Sequence, residues 1–182
     1  MEALVRSGIY RLRGWCVKIY LLLHGCKVGR NFKCVGFPVF RTVPKSNFQI
    51  ADNVTLGVGV VLEITPSGRL QLDDHALIGD YCTLSSMELI HLKKWSGIAE
   101  RVSIRDGFHG MKAGEYYRKQ ESTGMPVVLE EDSGVGAGCI VLKGVRIPRG
   151  TFIGANSVVT RGDVLEEMCI YAGNPLKKER KR

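Results

Sequence analysis

The chain reads as an all-β protein, a left-handed parallel β-helix with an N-terminal amphipathic helix and one extruded loop. Three observations carry that reading. Residues 129–160 repeat every six positions, stretches of the same frame recur upstream, and between Arg105 and Met125 the aliphatic pulse stops and a polar segment replaces it. A period of six is neither helical nor an ordinary strand alternation. It marks an architecture in which each unit buries its face only against its neighbours.

Units of the regular stretch open on Leu129, Val135, Val141, Ile147, Ile153 and Val159, and four places later stand Ser133, Cys139, Val145, Thr151 and Ser157. Three six-residue faces close one turn of eighteen, so the aliphatic positions point to the axis of a prism and the slim ones sit at its corners. Gly136, Gly138, Gly144, Gly154 and Asn156 permit the bends. The left-handed coil is an exception to the usual right-handed crossover. Upstream, Ile50, Leu56 and Leu62 keep the frame with Val54 and Val60. After the Pro66-Ser67-Gly68 turn come Leu72, Ile78 and Leu84 with Ala76 and Cys82, then Leu92, Ile98 and Ile104 with Ser96 and Val102. Val28 and Phe32 mark one further unit. Roughly five coils are expected, in one domain over residues 28–165, with a lead-in at 1–27, a loop at 105–126 and a basic tail at 166–182.

Before the first coil, Val5, Ile9, Leu12, Cys16, Ile19 and Leu23 lay one apolar stripe along a helix over residues 3–24, with Arg6, Arg13 and Lys18 away from it and Arg11 near its edge. Two roles suit such a helix: a cap on the open end of the β-helix, or peripheral contact with an anionic membrane. The net charge of +8 and pI of about 9.3 point to anionic partners. Much of the excess is assigned to the C-terminus, at Lys177, Lys178, Arg180, Lys181 and Arg182, the last three of which also suit a solvated tail. A phosphorylated cofactor or a lipid surface fits better than nucleic acid, because no aromatic platform or binding motif accompanies the charge.

No apolar run of about twenty residues is present, and the N-terminus lacks a signal-peptide core. A cytoplasmic protein is expected, at the inner face of the membrane if the helix makes lipid contact. Six cysteines (Cys16, Cys26, Cys34, Cys82, Cys139 and Cys169) form no CxxC pair and read as reduced thiols, with Cys82 and Cys139 at interior corners.

The break in the repeat, RDGFHGMKAGEYYRKQESTGM, must loop out of the prism, and long ordered loops often carry function. His109 stands at its start, where a neutral imidazole can take a proton from a hydroxyl near pH 7. Tyr116, Tyr117, Lys119 and Gln120 are candidates to stack on or hydrogen-bond a sugar, or to remain solvated.

Two segments give the chain a specific resemblance over about Val28 to Arg180. Asp106-Gly107-Phe108-His109, the loop and Pro126-Val127-Val128 resemble an Asp-His-x-His-like segment with its return strand. Ile153 to Asp163 and Ala172-Gly173-Asn174-Pro175-Leu176-Lys177 resemble the closing signature of the same family. The family is the hexapeptide-repeat acyltransferases, and within it the O-acetyltransferases of bacterial polysaccharide biosynthesis. The resemblance implies acetyl-CoA as co-substrate with no metal, a homotrimer with sites between subunits, and a sugar or saccharide acceptor that a lipid carrier could bear. It implies His109 as general base. Asp106 matches the family's Asp and either orients a nearby group or holds the turn. The Ala137 amide would stabilise the oxyanion. Gly136, Ala137, Ala155, Thr160 and Arg161 would follow the thiol arm, with Asn174, Pro175, Lys177 and Arg180 near the adenine and phosphates. Two departures stand out. Gly107 replaces the first His, and Gly134 replaces a Trp common in relatives, which would leave one side of the thiol-arm tunnel more open.

Other readings compete. An N-acetyltransferase of an amino sugar or an antibiotic acetyltransferase shares nearly all these motifs, whereas serine acetyltransferase would need a large N-terminal helical domain. A zinc carbonic anhydrase would need histidines converging on a metal, and His24, His75, His91 and His109 form no close pair. A non-catalytic scaffold or binding module leaves the loop and the AGNP segment unexplained.

Overall fold

A computed structural model describes the backbone of residues 2–182 and the side chains of residues 7–182. The chain forms a left-handed parallel β-helix of about seven turns, preceded by the helix Glu2–Leu23. Three flat faces run along it. Face A stacks the strands Lys27–Val28, Phe48–Ile50, Leu70–Leu72, Ile90–Leu92, Val127–Leu129 and Arg146–Ile147; faces B and C are built the same way. Register is strict, with Ile50 over Val28, Leu56 over Cys34 and Leu62 over Phe40, so identical positions stack into columns.

Those columns are the core. Leu56, Ile78, Ile98, Val135 and Ile153 form one, and every expected corner residue from Val54 to Ser157 is buried with them. Each buried aliphatic side chain contributes about 1.5–3 kcal/mol relative to exposure. The turn of eighteen residues holds only near the top, where Cys139 and Ser157 are 18 apart. Lower coils take 20 to 22 residues, as the spacings of Ser86 to Asp106 and Asn31 to Asn53 show. That is why a strict six-residue frame finds about five coils instead of seven. The extra residues all enter at the corner between faces C and A (residues 41–47, 65–69 and 87–89), where the turn widens without disturbing the interior columns.

The C-terminus is not a loose tail. Cys169–Ala172 continues face B as a further rung on Phe152–Ile153, and Lys177–Lys181 folds back on it antiparallel. Arg182 is tied by its N–H to Met168 O and by its guanidinium to Asp132.

The helix also differs from expectation. The residues it buries are Gly14, Val17 and Leu21, with Tyr10, Tyr20 and His24 half-buried beside them. Ile9, Leu12, Cys16, Ile19 and Leu23, the expected stripe, face outward; the side chains of Val5 and Arg6 lie outside the described residues. Closeness of approach decides the docked face. A Cβ on Gly14 would collide with the carbonyl of Phe32, so only the glycine face lets the helix lie on the first coil. Two charged side chains then serve carbonyls of that coil: Lys18 Nζ donates to Gly29 O at 2.7 Å and the Arg13 guanidinium donates to Val35 O. Free in solution, Gly14→Ala would favour the helix by about 1 kcal/mol. In this protein the same substitution lowers the melting temperature, and a melt that rises instead would show that the helix is not docked.

Candidate active site

The wide corner between faces C and A opens fully at the fourth rung. There the chain leaves Ser103–Arg105, runs out as Gly107–His109, turns, and returns as Ser122–Gly124 before entering Val127–Leu129. The two arms pair antiparallel, with Gly107 opposite Gly124 and His109 opposite Ser122. That pairing sets the imidazole, whose Nδ1 lies 2.9 Å from Ser122 Oγ. Nε2 is left without a protein partner among the described residues. The Tyr117 ring stands edge-on to it, centroids 6.0 Å apart. A Cβ on Gly107 would come within 2.5 Å of the Met87 sulfur, so a larger residue there would have to displace that side chain.

Asp106 is fully buried and accepts three hydrogen bonds, from Ser86 Oγ at 2.7 Å and from the N–H groups of Met87 and Glu88 at 2.6 and 3.0 Å. None of its contacts reaches His109. Of its two expected roles these bonds serve the turn, and its place among catalytic residues is corrected accordingly. Gln120 is corrected in the same way. Its amide is folded into the loop, accepting from Lys112 N–H and donating to the carbonyls of Lys112 and Glu115, so it pins the loop and does not face a ligand. Tyr116, Tyr117 and Lys119 are exposed, with Lys119 Nζ 5.5 Å from the Tyr116 ring centre.

Below the histidine lies a cavity of about 420 Å³ lined by Glu63, Ser85, Arg105, His109, Tyr117 and Ser122 among others. Glu63, Ser85 and Arg105 are register neighbours on successive rungs of face C. Sequence reasoning missed them, and missed Ser122. Each of the three follows an interior residue (Leu62, Leu84 or Ile104), so the repeat itself carried the signal once the loop's corner was known. Thr65, Met87, Gly107, Phe108 and Met111 complete the lining, so polar groups and apolar surface meet beside the one imidazole.

A second set of expected residues stacks on a different corner, between faces B and C. Gly136 N–H donates to Ile153 O and Gly154 N–H to Tyr171 O, so Ala137, Ala155 and the turn at Asn174-Pro175 rise as a rail over successive rungs. A Cβ on Gly136 would lie 2.7 Å from Ala155 N, which keeps that rail flat. Lower on the same corner the Val58 amide is occupied by Asp80 Oδ1 at 2.7 Å. One rung above Ala137 stands Ala155, with no side-chain acceptor, and the Ala137 N–H is unpartnered among the described residues. Thr160 and Arg161 are elsewhere, on the loop side, where the Arg161 guanidinium approaches Met125 Sδ at 3.6 Å. Within one chain a whole face separates His109 from Ala137, about 20 Å of extended backbone. Lys177 and Arg180 project from the C-terminal hairpin, both exposed. Between them Lys178 pairs with Glu166 at 2.8 Å, which holds that carboxyl below its usual range.

The Gly134 position is not open. Any Cβ there would collide with the Phe152 ring from the next rung, which occupies the space instead. Burial pushes the Cys34 thiol up to about 12 and the Cys82 thiol to about 11, so neither offers a thiolate near neutral pH.

No protein-family model matches the chain. It is 31% identical over 159 residues to the lipopolysaccharide biosynthesis O-acetyl transferase WbbJ of Escherichia coli K12, covering 81% of this chain and 78% of that one. The chain belongs to the hexapeptide-repeat sugar acyltransferases. Its fold is shared with the N-acyltransferase AntD of Bacillus cereus, solved with dTDP and 3-hydroxybutyryl-CoA, at a TM-score of 0.75 and 21% identity over 91% of this chain and 88% of that one. A maltose O-acetyltransferase of Clostridium difficile 630 superposes at 0.62 with 19% identity, over 79% and 68% of the two chains. Membership makes this an acyltransferase acting on sugars. Among its described residues no helix is long and apolar enough to cross a membrane.

In this acyltransferase the buried carboxylate and the exposed imidazole should separate cleanly. Asp106→Ala strands the Met87 and Glu88 amides, while Ser86 keeps the carbonyl of Arg69 as an acceptor, and costs about 1–3 kcal/mol for each group left unpaired. Urea unfolding of Asp106→Ala should therefore shift strongly, while His109→Ala leaves the midpoint unchanged.

Proposed function

We propose that the protein is an acetyl-CoA-dependent O-acetyltransferase that modifies a sugar hydroxyl in bacterial surface polysaccharide biosynthesis, working as a homotrimer with its sites between subunits. The observation that carries this reading is His109, held through Nδ1 by Ser122 at the rim of a cavity that Glu63, Ser85 and Arg105 line together with Met87, Phe108 and Met111. When Nδ1–H donates to Ser122 Oγ, the lone pair sits on Nε2, the tautomer a general base needs. His109 Nε2 takes the proton of the acceptor hydroxyl as its oxygen bonds to the thioester carbon. The oxyanion of the tetrahedral intermediate is held by the Ala137 N–H. The carbon–sulfur bond then breaks, and the CoA thiolate leaves with the proton that His109 Nε2 had taken, which restores the neutral imidazole.

The separation of His109 and Ala137 within one chain supports the trimer, because a neighbouring copy must bring its rail to the histidine. Along that seam Gly136, Ala137 and Ala155 from one subunit and Thr160 and Arg161 from the other line the thiol arm. Asn174, Pro175, Lys177 and Arg180 take the adenine and phosphates, where cations supply the charge. The acceptor meets Glu63, Ser85 and Arg105 in the cavity and Tyr116, Tyr117 and Lys119 at its lip. A sugar carried on a lipid diphosphate suits this basic rim.

Transfer to an amine is the second reading, favoured by the shared fold with AntD, an N-acyltransferase. Thiol release from acetyl-CoA, followed across nucleotide sugars, oligosaccharides and amino sugars, separates the two. An alkali-labile ester product supports the first reading, and a stable amide overturns it. General-base help is worth roughly 10² to 10⁴ in rate, so His109→Ala should lower kcat by about that factor with the trimer intact by light scattering. Ser122→Ala, which only positions the ring, should cost about tenfold in kcat with KM unchanged. Wild-type kcat in His109→Ala would refute the mechanism.

A further inference from the structure

The charge of the chain is not spread over it. From Ala3 to Ala51 there are nine lysines and arginines and no carboxylate, and Glu2 is the one acid before Asp52; residues 52–182 carry seventeen of each sign. The whole net charge of +8 therefore lies on the helix and first coil, and the C-terminal cations expected to hold much of it are balanced within the rest of the chain. Of these nine, Arg13 and Lys18 cap carbonyls of the first coil and Arg30 is paired with Asp52 at 2.7 Å. Arg11, Lys27 and Lys45 are exposed.

The same end of the molecule carries its largest run of exposed apolar side chains. Ile9, Leu12, Trp15, Ile19, Leu22 and Leu23 are between 36% and 81% exposed and fall within an arc of about 140° at 100° per residue, opposite the docked face of the helix. The apolar surface does not stop at the helix. A groove lined by Cys16, Tyr20, Phe37 and Phe40 joins it to the foot of face C, where Phe37, Val39 and Val43 are more than half exposed. An apolar helix face with a tryptophan in it, at the end of the molecule that carries the net positive charge, is the pattern of an element that lies in a bilayer interface.

We infer that the base of the β-helix, formed by the outer face of the N-terminal helix and the foot of face C, docks on an anionic lipid surface. A second copy of this chain is the weaker occupant, because pairing two such bases sets like charges together, whereas an anionic bilayer supplies the opposite sign. The docked orientation also bears on the reaction, a point that rests on the acceptor reading given above. The His109 rung stands three strands above Val39 on the same face, about 14 Å at the usual strand spacing, so the acceptor cavity opens just above the lipid headgroups.

Co-sedimentation of the full-length protein with vesicles tests the docking without any substrate. Binding should be at least about tenfold tighter to phosphatidylcholine–phosphatidylglycerol vesicles than to phosphatidylcholine alone, and should weaken in high salt. The double variant Leu12→Glu, Ile19→Glu should lose that binding while keeping its melting temperature and its thiol release with a soluble acceptor. Trp15→Ala should abolish the blue shift of tryptophan emission seen on anionic vesicles. Equal binding of the Leu12→Glu, Ile19→Glu variant, or no binding of the wild-type chain, overturns the inference. So does a change of oligomeric state in that variant without lipid, which would assign the face to another copy. Failure of His109→Ala to lose activity would leave the docking result standing, so the two proposals fail separately.

Discussion

Every feature of this molecule depends on one constraint: interior side chains stack in register from rung to rung at the spacing of hydrogen-bonded strands. Leu56, Ile78, Ile98, Val135 and Ile153 each rest on the residue below, and no column tolerates a residue out of place. A coil can gain residues only at a corner, where the added backbone swings outward. Here the added residues collect at one corner, between faces C and A. The loop that carries His109 is the extreme case of a widening already present in the three coils beneath it. Rigidity of the columns and freedom at one corner together produce a cavity beside a fixed wall.

The site follows the same division of labour. Buried polar groups hold the backbone: Asp106 takes two amides and a hydroxyl, and Gln120 closes the loop on itself. Exposed groups are left without such ties: Ser122 orients His109, and the Ala137 amide stays open because Ala155 above it offers no side-chain acceptor. Buried cysteines belong to the first group. Cys82 donates to Ala99 O and Cys139 to Gly154 O, as small core residues that close corners.

The open ends of a β-helix need different solutions, because each exposes a last strand with unpaired groups. At the top the chain closes itself with the hairpin of Cys169–Ala172 and Lys177–Lys181. At the bottom the helix does it, through Gly14 for contact and Lys18 and Arg13 for carbonyls. That helix therefore has two apolar faces, one spent on the coil and one turned away from it.

The repeat from Leu129 to Thr160 determined the fold by itself, because a six-residue period is compatible with no ordinary helix or strand and reads directly off residue type. The break in it marked His109, since a polar stretch within a solenoid has nowhere to go but outward. Tertiary structure alone decided which groups meet. Ser122 reaches His109 only through the antiparallel pairing of the loop's arms, and Glu63, Ser85 and Arg105 share a cavity only because coils of 20 to 22 residues place them in register. It also chose the docked face of the helix. Periodicity weighs apolar character and so marked Ile9, Leu12 and Ile19, but docking is decided by how closely two backbones can approach, and there a single glycine outweighs a stripe of large side chains.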